Sequence, residues 1–229
     1  MKKLTLIVAM VCVIGHAYAQ IGKSQDEKAN STLEKATIAF EDLIESPDVG
    51  VPKSLLEKME GIVVFPKALK VALGVGGQGG RGFAMIKKED GKWSNPFFIS
   101  MGEGSVGAQI GVQSSDIVLI FKRRENIIKL ENTELTLGGD VGIAAGPVGR
   151  NSSVNTDIGF DAEIYSYSRS KGLYAGISLE GTVLESNDKV NKAFYDKNSI
   201  TIKDIFFDTK TPYNDKVAAF IKMLVKATR

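Results

Sequence analysis

The chain has 229 residues, 43% of them hydrophobic, with 29 basic and 27 acidic side chains and a formal charge of +2. Its only cysteine, Cys12, and its only histidine, His16, fall within residues 1–19. Beyond that point disulfides, zinc sites built on Cys or His, cysteine nucleophiles and histidine general bases are excluded. Residues 1–19 read as a secretory signal peptide: Lys2 and Lys3 form a basic start, an apolar core too short to span a bilayer follows, and Ala17-Tyr18-Ala19 is an A-x-A cleavage site. The expected mature N-terminus is Gln20, and the chain is expected to be exported, to the periplasm or outside the cell. Without Lys2 and Lys3 the remainder is formally neutral, which argues against nucleic acid as a partner. Charge is uneven, however. Residues 53–92 hold 8 basic and 4 acidic side chains, whereas residues 20–52 hold 3 and 7.

An N-terminal helical segment is expected over residues 20–51, with a helix over 23–46 in which Leu33, Ala36, Phe40, Leu43 and Ile44 recur at helical spacing. Pro52 suits a first helical position and opens a second short helix over 52–59. A strand follows at 62–65. Gly74-Val75-Gly76-Gly77-Gln78-Gly79 is a literal GxGxxG, but the residues after it read as strand where a dinucleotide site needs a helix. A bent or bulged strand is the expected structure. Asp90-Gly91 lies between apolar runs and predicts a hairpin with a type I′ turn.

Residues 117–121 form a buried central strand, 123–130 a short helix and 135–137 a further strand. Alternation over 160–165 and 173–183 predicts an antiparallel hairpin with one buried face. Residues 187–195 are expected to be helical. A last amphipathic helix spans 214–228, with Val217, Phe220, Ile221, Leu224 and Val225 as its apolar stripe and Lys222, Lys226 and Arg229 opposite. Of 24 glycines, 22 fall between positions 50 and 181. The expected fold is therefore α+β: a curled, Gly-rich antiparallel β-sheet, barrel-like, flanked by N- and C-terminal helices.

Several segments in order resemble one family: Lys92-Trp93-Ser94-Asn95-Pro96, Gly107-Ala108-Gln109-Ile110-Gly111, Leu137-Gly138-Gly139-Asp140-Val141, Gly146-Pro147-Val148-Gly149-Arg150, Tyr165-Ser166-Tyr167-Ser168 and the run from Gly172 to Gly181. Together they resemble the SYLF domain, also called the yeast-type actin-binding domain. The resemblance covers roughly residues 52–206, and residues 52–229 are taken as one SYLF-like domain that ends in the C-terminal amphipathic helix. It implies a lipid-binding module without catalytic activity or cofactor. Eukaryotic members bind phosphoinositides, and some fungal ones bundle actin. Bacterial members are typically exported, and the export signal makes this chain resemble an exported bacterial-type member, which argues against actin and against carrying over phosphoinositide specificity. The expected function is binding of anionic phospholipid at a membrane surface. The alternative is a structural or assembly protein of the cell envelope that docks a protein partner through its helices.

Candidate lipid-binding residues follow from chemistry. Lys122, Arg123 and Arg124 form a basic run that either holds phosphate or is a solvated strand end. Arg150 sits in a Gly-flanked loop able to present amides and a guanidinium to an anion. Trp93 is either an interfacial anchor or a ring packed over the Gly-rich sheet. Lys222 and Lys226 offer electrostatic attraction from the last helix. No metal is expected; Asp161, Glu163 and Glu180 on the polar side of the late hairpin are the one weak candidate set, because opposed carboxylates repel unless a cation or proton lies between them.

Overall fold

A computed structural model describes residues 24–46, 50–131, 134–147, 161–170 and 173–228, with the backbone alone at 72–75, 105–110 and 174. The expected leader, Arg150 and Arg229 lie outside the described residues.

Two strands of unusual length dominate. β1, Gly61–Ile86, and β2, Phe97–Phe121, pair antiparallel from Gly61↔Phe121 to Ala84↔Phe97. The expected separate strands at 62–65 and 117–121 are the far end of this one ribbon, and the GxGxxG stretch is its middle. No helix follows the glycines, so the dinucleotide reading has no structural basis. Register slips twice, between Phe65 and Ala68 and between Leu73 and Val75. The first slip falls where Pro66 lacks an amide to donate. Lys67 there takes φ 56° and is held by Asp116, which accepts its amide at 2.9 Å and faces its ammonium at 3.5 Å.

The ribbon curls until the two halves of β1 meet. Lys87 N–H donates to the Glu60 carbonyl at 2.7 Å, and a Cβ on Gly82 would lie 2.1 Å from the Val64 carbonyl oxygen. Only glycine permits that approach. The connecting turn differs from the expected type I′. Gly91 N–H donates to the Lys88 carbonyl and Gly91 takes φ 77°, but Asp90 is not among the residues with positive φ. One left-handed glycine after a type I turn replaces the two left-handed positions of type I′.

Short strands complete a seven-stranded curled sheet on the outer edge of β2. β7, Val183–Ser186, pairs with Ile99–Gly102, and β3, Leu135–Thr136, extends it. β5, Ile164–Ser170, pairs with Asp116–Phe121. The outer edge of β5 is shared between β6, Leu173–Gly176, which is antiparallel, and β4, Ile143–Ala145, which is parallel and is the one departure from the expected antiparallel pattern among these pairs. The β5–β6 ladder ends at Tyr167↔Gly176 because β4 occupies the edge from Ser166 back to Ile164. The late hairpin is therefore shorter than its alternation predicts.

Helices flank the sheet. α1, Gln25–Glu45, starts in a capping box in which Ser24 and Glu27 satisfy each other's amides at 3.1 Å. α2, Lys53–Glu57, leads into β1, and α3, Glu125–Ile128, with a 3₁₀ turn at Lys129–Glu131, follows β2. α4, Asp188–Phe194, is capped by Asn187, and α5, Asp215–Ala227, by Asn214. A π-helical turn, Asp204–Asp208, lies between them.

The expected stripe of α5 is docked. Val217, Phe220 and Leu224 are fully buried, worth about 1.5–3 kcal/mol each. Phe220 packs on Phe40 of α1 (5.8 Å between centroids) and edge-on to Phe83 of β1 (5.0 Å). Phe83 continues to Phe98, and Phe98 to Phe194 of α4. This aromatic chain ties both terminal helices to the ribbon. Alongside it, α1 and α5 run in the same direction, joined by Asn214–Asn30, Lys216–Glu34 and Lys226–Glu45.

Candidate functional site

The ribbon turn, the chain leading into α5 and the C-terminal part of α5 enclose a cleft of about 630 Å³. Lys87, Lys88 and Lys92 contribute its basic wall, and Trp93, Pro212, Ile221 and Val225 its apolar floor. Trp93 is 2% exposed and bridges across the turn to Lys87. It is thus packed over the sheet, and its cleft-facing atoms form floor rather than a protruding anchor. Lys92 grips Asp90 at 3.0 Å. Hydrogen bonds from the Lys92 amide and then its ammonium hold the Asp90 carboxyl below its ordinary range, and the positive field of Lys88 adds to this. Threonines 209 and 228 donate their hydroxyls to backbone carbonyls within their own segments, at 3.0 and 2.9 Å. The ammonium groups are therefore the main donors that the cleft offers an incoming anion.

The Trp93-Ser94-Asn95-Pro96 motif builds this wall from beneath. Ser94 Oγ accepts the Ile86 amide at 3.0 Å and donates to the Asn95 carbonyl. Asn95, fully buried, reaches across to the segment before α5: its Nδ2 donates to the carbonyls of Lys210 (2.8 Å) and Thr209 (3.4 Å), and its Oδ1 accepts the Tyr213 amide at 2.9 Å. The Pro96 carbonyl accepts the Tyr195 hydroxyl at 2.7 Å, and burial pushes that phenol well above its usual pKa. Sequence reading placed this motif in the family pattern without giving Asn95 a role.

The basic run after β2 does not form one phosphate site. Arg124 turns under the hairpin, donating to the Lys87 carbonyl at 3.2 Å and facing Glu89 and Glu125 at 3.4 Å. It braces the turn that carries the cleft lysines. Arg123 is exposed and lies 3.8 Å from Glu163. The Lys122 amide donates to the Glu163 carbonyl. The alternation of side chains at the end of β2 sends these residues different ways. Lys222 and Lys226 line a second groove, of about 680 Å³, with Thr37 and Glu41. Lys226 bonds Glu45 at 2.8 Å, which raises its pKa.

The acidic set is dispersed. Glu163 accepts from Asn126 at 2.6 Å and pairs with Arg123, Asp161 is exposed, and Glu180 lies over Gly138 beside the β3–β7 end. Because the β5–β6 ladder stops before Glu180, the expected opposition of carboxylates does not form, and no group of three acids able to hold a metal occurs among the described residues. The cleft lysines were legible only as part of the basic excess of residues 53–92. What no pattern signalled is that α5 closes over them.

Residues 102–227 match the model of the Ysc84 family, described as Las17-binding protein actin regulator. Relatives include SH3 domain-containing YSC84-like protein 1 of Xenopus laevis, 33% identical over 187 residues, covering 81% of this chain and 55% of that one. An SH3 domain-containing protein of Schizosaccharomyces pombe is 37% identical over 156 residues, covering 67% and 36%, and LAS seventeen-binding protein 3 of Saccharomyces cerevisiae is 31% identical over 179 residues, covering 77% and 38%. The chain spans about half the length of the YSC84-like relatives it matches. With the family model matched over more than half of its residues, the chain belongs to the Ysc84 (SYLF) family.

Proposed function

We propose that this domain binds anionic phospholipid at a membrane surface, without catalysis, by seating a headgroup against Lys87, Lys88 and Lys92. The observation that carries the reading is the cleft itself: three lysines on one turn, above a floor of Trp93, Pro212, Ile221 and Val225. Ammonium groups suit a phosphate, and the apolar floor suits the glycerol and first methylenes below it. We further propose that residues 1–19 direct export, so that the domain meets its membrane from the periplasmic or extracellular side and actin is not its partner.

The second reading, an assembly protein docking a partner through its helices, draws on the family description, which names Las17 binding and actin regulation for the proteins it describes. Against it, α1 and α5 spend their apolar stripes on the sheet, and Ile38 is the one large apolar side chain they leave exposed among the described residues.

Co-sedimentation with vesicles of phosphatidylcholine, with and without phosphatidylserine, tests the proposal. Binding should require the anionic lipid, weaken with salt, and fall when Lys87, Lys88 and Lys92 are changed to Gln, each lysine contributing about 1 kcal/mol at most. Equal binding to neutral vesicles, or none to anionic ones, defeats it.

A further inference from the structure

The cleft has a rim of a different character from its lysine wall. Between the π-helical turn and α5 the chain passes along the cleft, contributing Thr209, Thr211 and Pro212 to its lining. At the two ends of this passage stand Phe207, 51% exposed, and Tyr213, 39% exposed. They are the two exposed large aromatics among the described residues. Phe207 follows directly on Phe206, which is fully buried and packs edge-on against Phe97 at 6.1 Å. One ring is thus anchored while its neighbour is turned outward. Tyr213 is braced from behind, 5.2 Å from Phe194 and 4.8 Å from Tyr195. Between them Asn95 pins the carbonyls of Thr209 and Lys210 and the amide of Tyr213, and the Thr209 amide closes the π-helical turn onto the Asp204 carbonyl at 2.8 Å. The exposed rings are therefore carried on backbone already ordered, and placing them in a new medium costs little further conformational entropy.

We infer that residues 207–213 are a membrane-inserting rim of the lysine cleft. Phe207 and Tyr213 enter the headgroup region of an anionic bilayer while a lipid head occupies the cleft beside them. This rests on the lipid reading proposed above. The occupant is set by charge and polarity together. Tyr213 is of the type enriched at the membrane–water interface, and Phe207 offers an apolar ring of the type that interfacial segments bury at the headgroup boundary. Lys210 on the rim and the three lysines of the turn supply the complementary charge for an anionic surface. Asp208 stands next to Phe207 and remains in water, which limits the rim to shallow insertion.

Two changes at one position test this in the full chain. Phe207→Ser should weaken affinity for phosphatidylcholine–phosphatidylserine vesicles about tenfold, with Tm unchanged and with the salt dependence of binding retained. Lys88→Gln should instead flatten the salt dependence. Phe207→Trp should give an emission that shifts to the blue on anionic vesicles and is quenched by lipids brominated on the acyl chain, beyond any quenching of the single native tryptophan, Trp93, measured in the unmodified chain. If Phe207→Ser binds as tightly as the unmodified chain and Phe207→Trp is not quenched, the rim does not insert, and the cleft reading stands without it. If the unmodified chain fails to bind anionic vesicles, both readings fall.

Discussion

Replacing Asn95 by Ala removes the tie between the ribbon and the segment before α5. The side chain is fully buried and makes two short hydrogen bonds, 2.8 Å to the Lys210 carbonyl and 2.9 Å from the Tyr213 amide, with a longer one of 3.4 Å to the Thr209 carbonyl. Each good bond is worth about 0.5–1.5 kcal/mol net, and leaving a buried partner unpaired costs about 1–3 kcal/mol. The partners here belong to a surface segment that water can reach, so the lower part of that range applies. The expected loss is about 2–3 kcal/mol, a fall in Tm of roughly 5–10 °C for a domain of this size. Asn95→Asp should be worse at neutral pH, because it keeps the acceptor for Tyr213 but turns an anion toward two carbonyls. Thermal unfolding followed by near-ultraviolet dichroism reads the stability, and limited proteolysis reads the segment at 207–213. An Asn95→Ala protein that melts with the unmodified chain and resists cleavage there would refute the assignment of Asn95 as the clamp.

Gly82→Ala places a methyl 2.1 Å from the Val64 carbonyl; the curl cannot absorb this, and the variant should lose more than about 3 kcal/mol, read as failure to accumulate in soluble form or as a collapsed denaturant midpoint. Stability should fall as pH rises above 10, because burial raises the phenols of Tyr195 and Tyr167 above the ordinary value of 10.0 in the folded state. The unfolded chain then binds fewer protons than the folded one, and the stabilisation present below pH 10 is lost on the alkaline side; phenolate absorbance should show these tyrosines titrating only with unfolding. Intact mass of exported protein should correspond to a chain beginning at Gln20, and a diacylglyceryl adduct on Cys12 would contradict the signal-peptide reading.

Much of the helical frame was legible because its signals are local. Apolar residues recur at helical spacing in 25–45 and 215–227, and the structure adds caps that were not read, Ser24 with Glu27, Asn187 and Asn214. The curled sheet and the bent glycine segment were also readable from alternation and glycine density. The length of β1 and β2 was not, because glycines that read as punctuation are here strand residues, with register running through Gly76↔Ser105 and Gly79↔Gly102. Glu180 was misplaced because alternation fixes which face a residue takes but not where a ladder stops, and β4 ended that one. The π-helical turn was missed because Ile205, Phe206 and Phe207 in succession fit no period. The basic run at 122–124 attracted attention by its composition, whereas Lys87, Lys88 and Lys92 were spread through a turn and gained meaning only when residues 209–225 folded across them.

The two-strand ribbon has a consequence for the order in which the molecule assembles. Its turn closes a short loop, so the first contacts, Lys87 with Trp93 and Ala84 with Phe97, link neighbours in sequence and form at small entropic cost. Pairing can then advance outward to Gly61 and Phe121 like a zipper, through a central stretch whose glycines specify register only weakly. The register shifts between Phe65 and Ala68 and between Leu73 and Val75 are expected to fix the alignment on either side of that stretch. Pulsed hydrogen exchange during refolding should protect the amides of Ile86 and Ser94 before those of Val63 and Leu119; protection in the reverse order would mean that the hydrophobic end, not the turn, starts the closure.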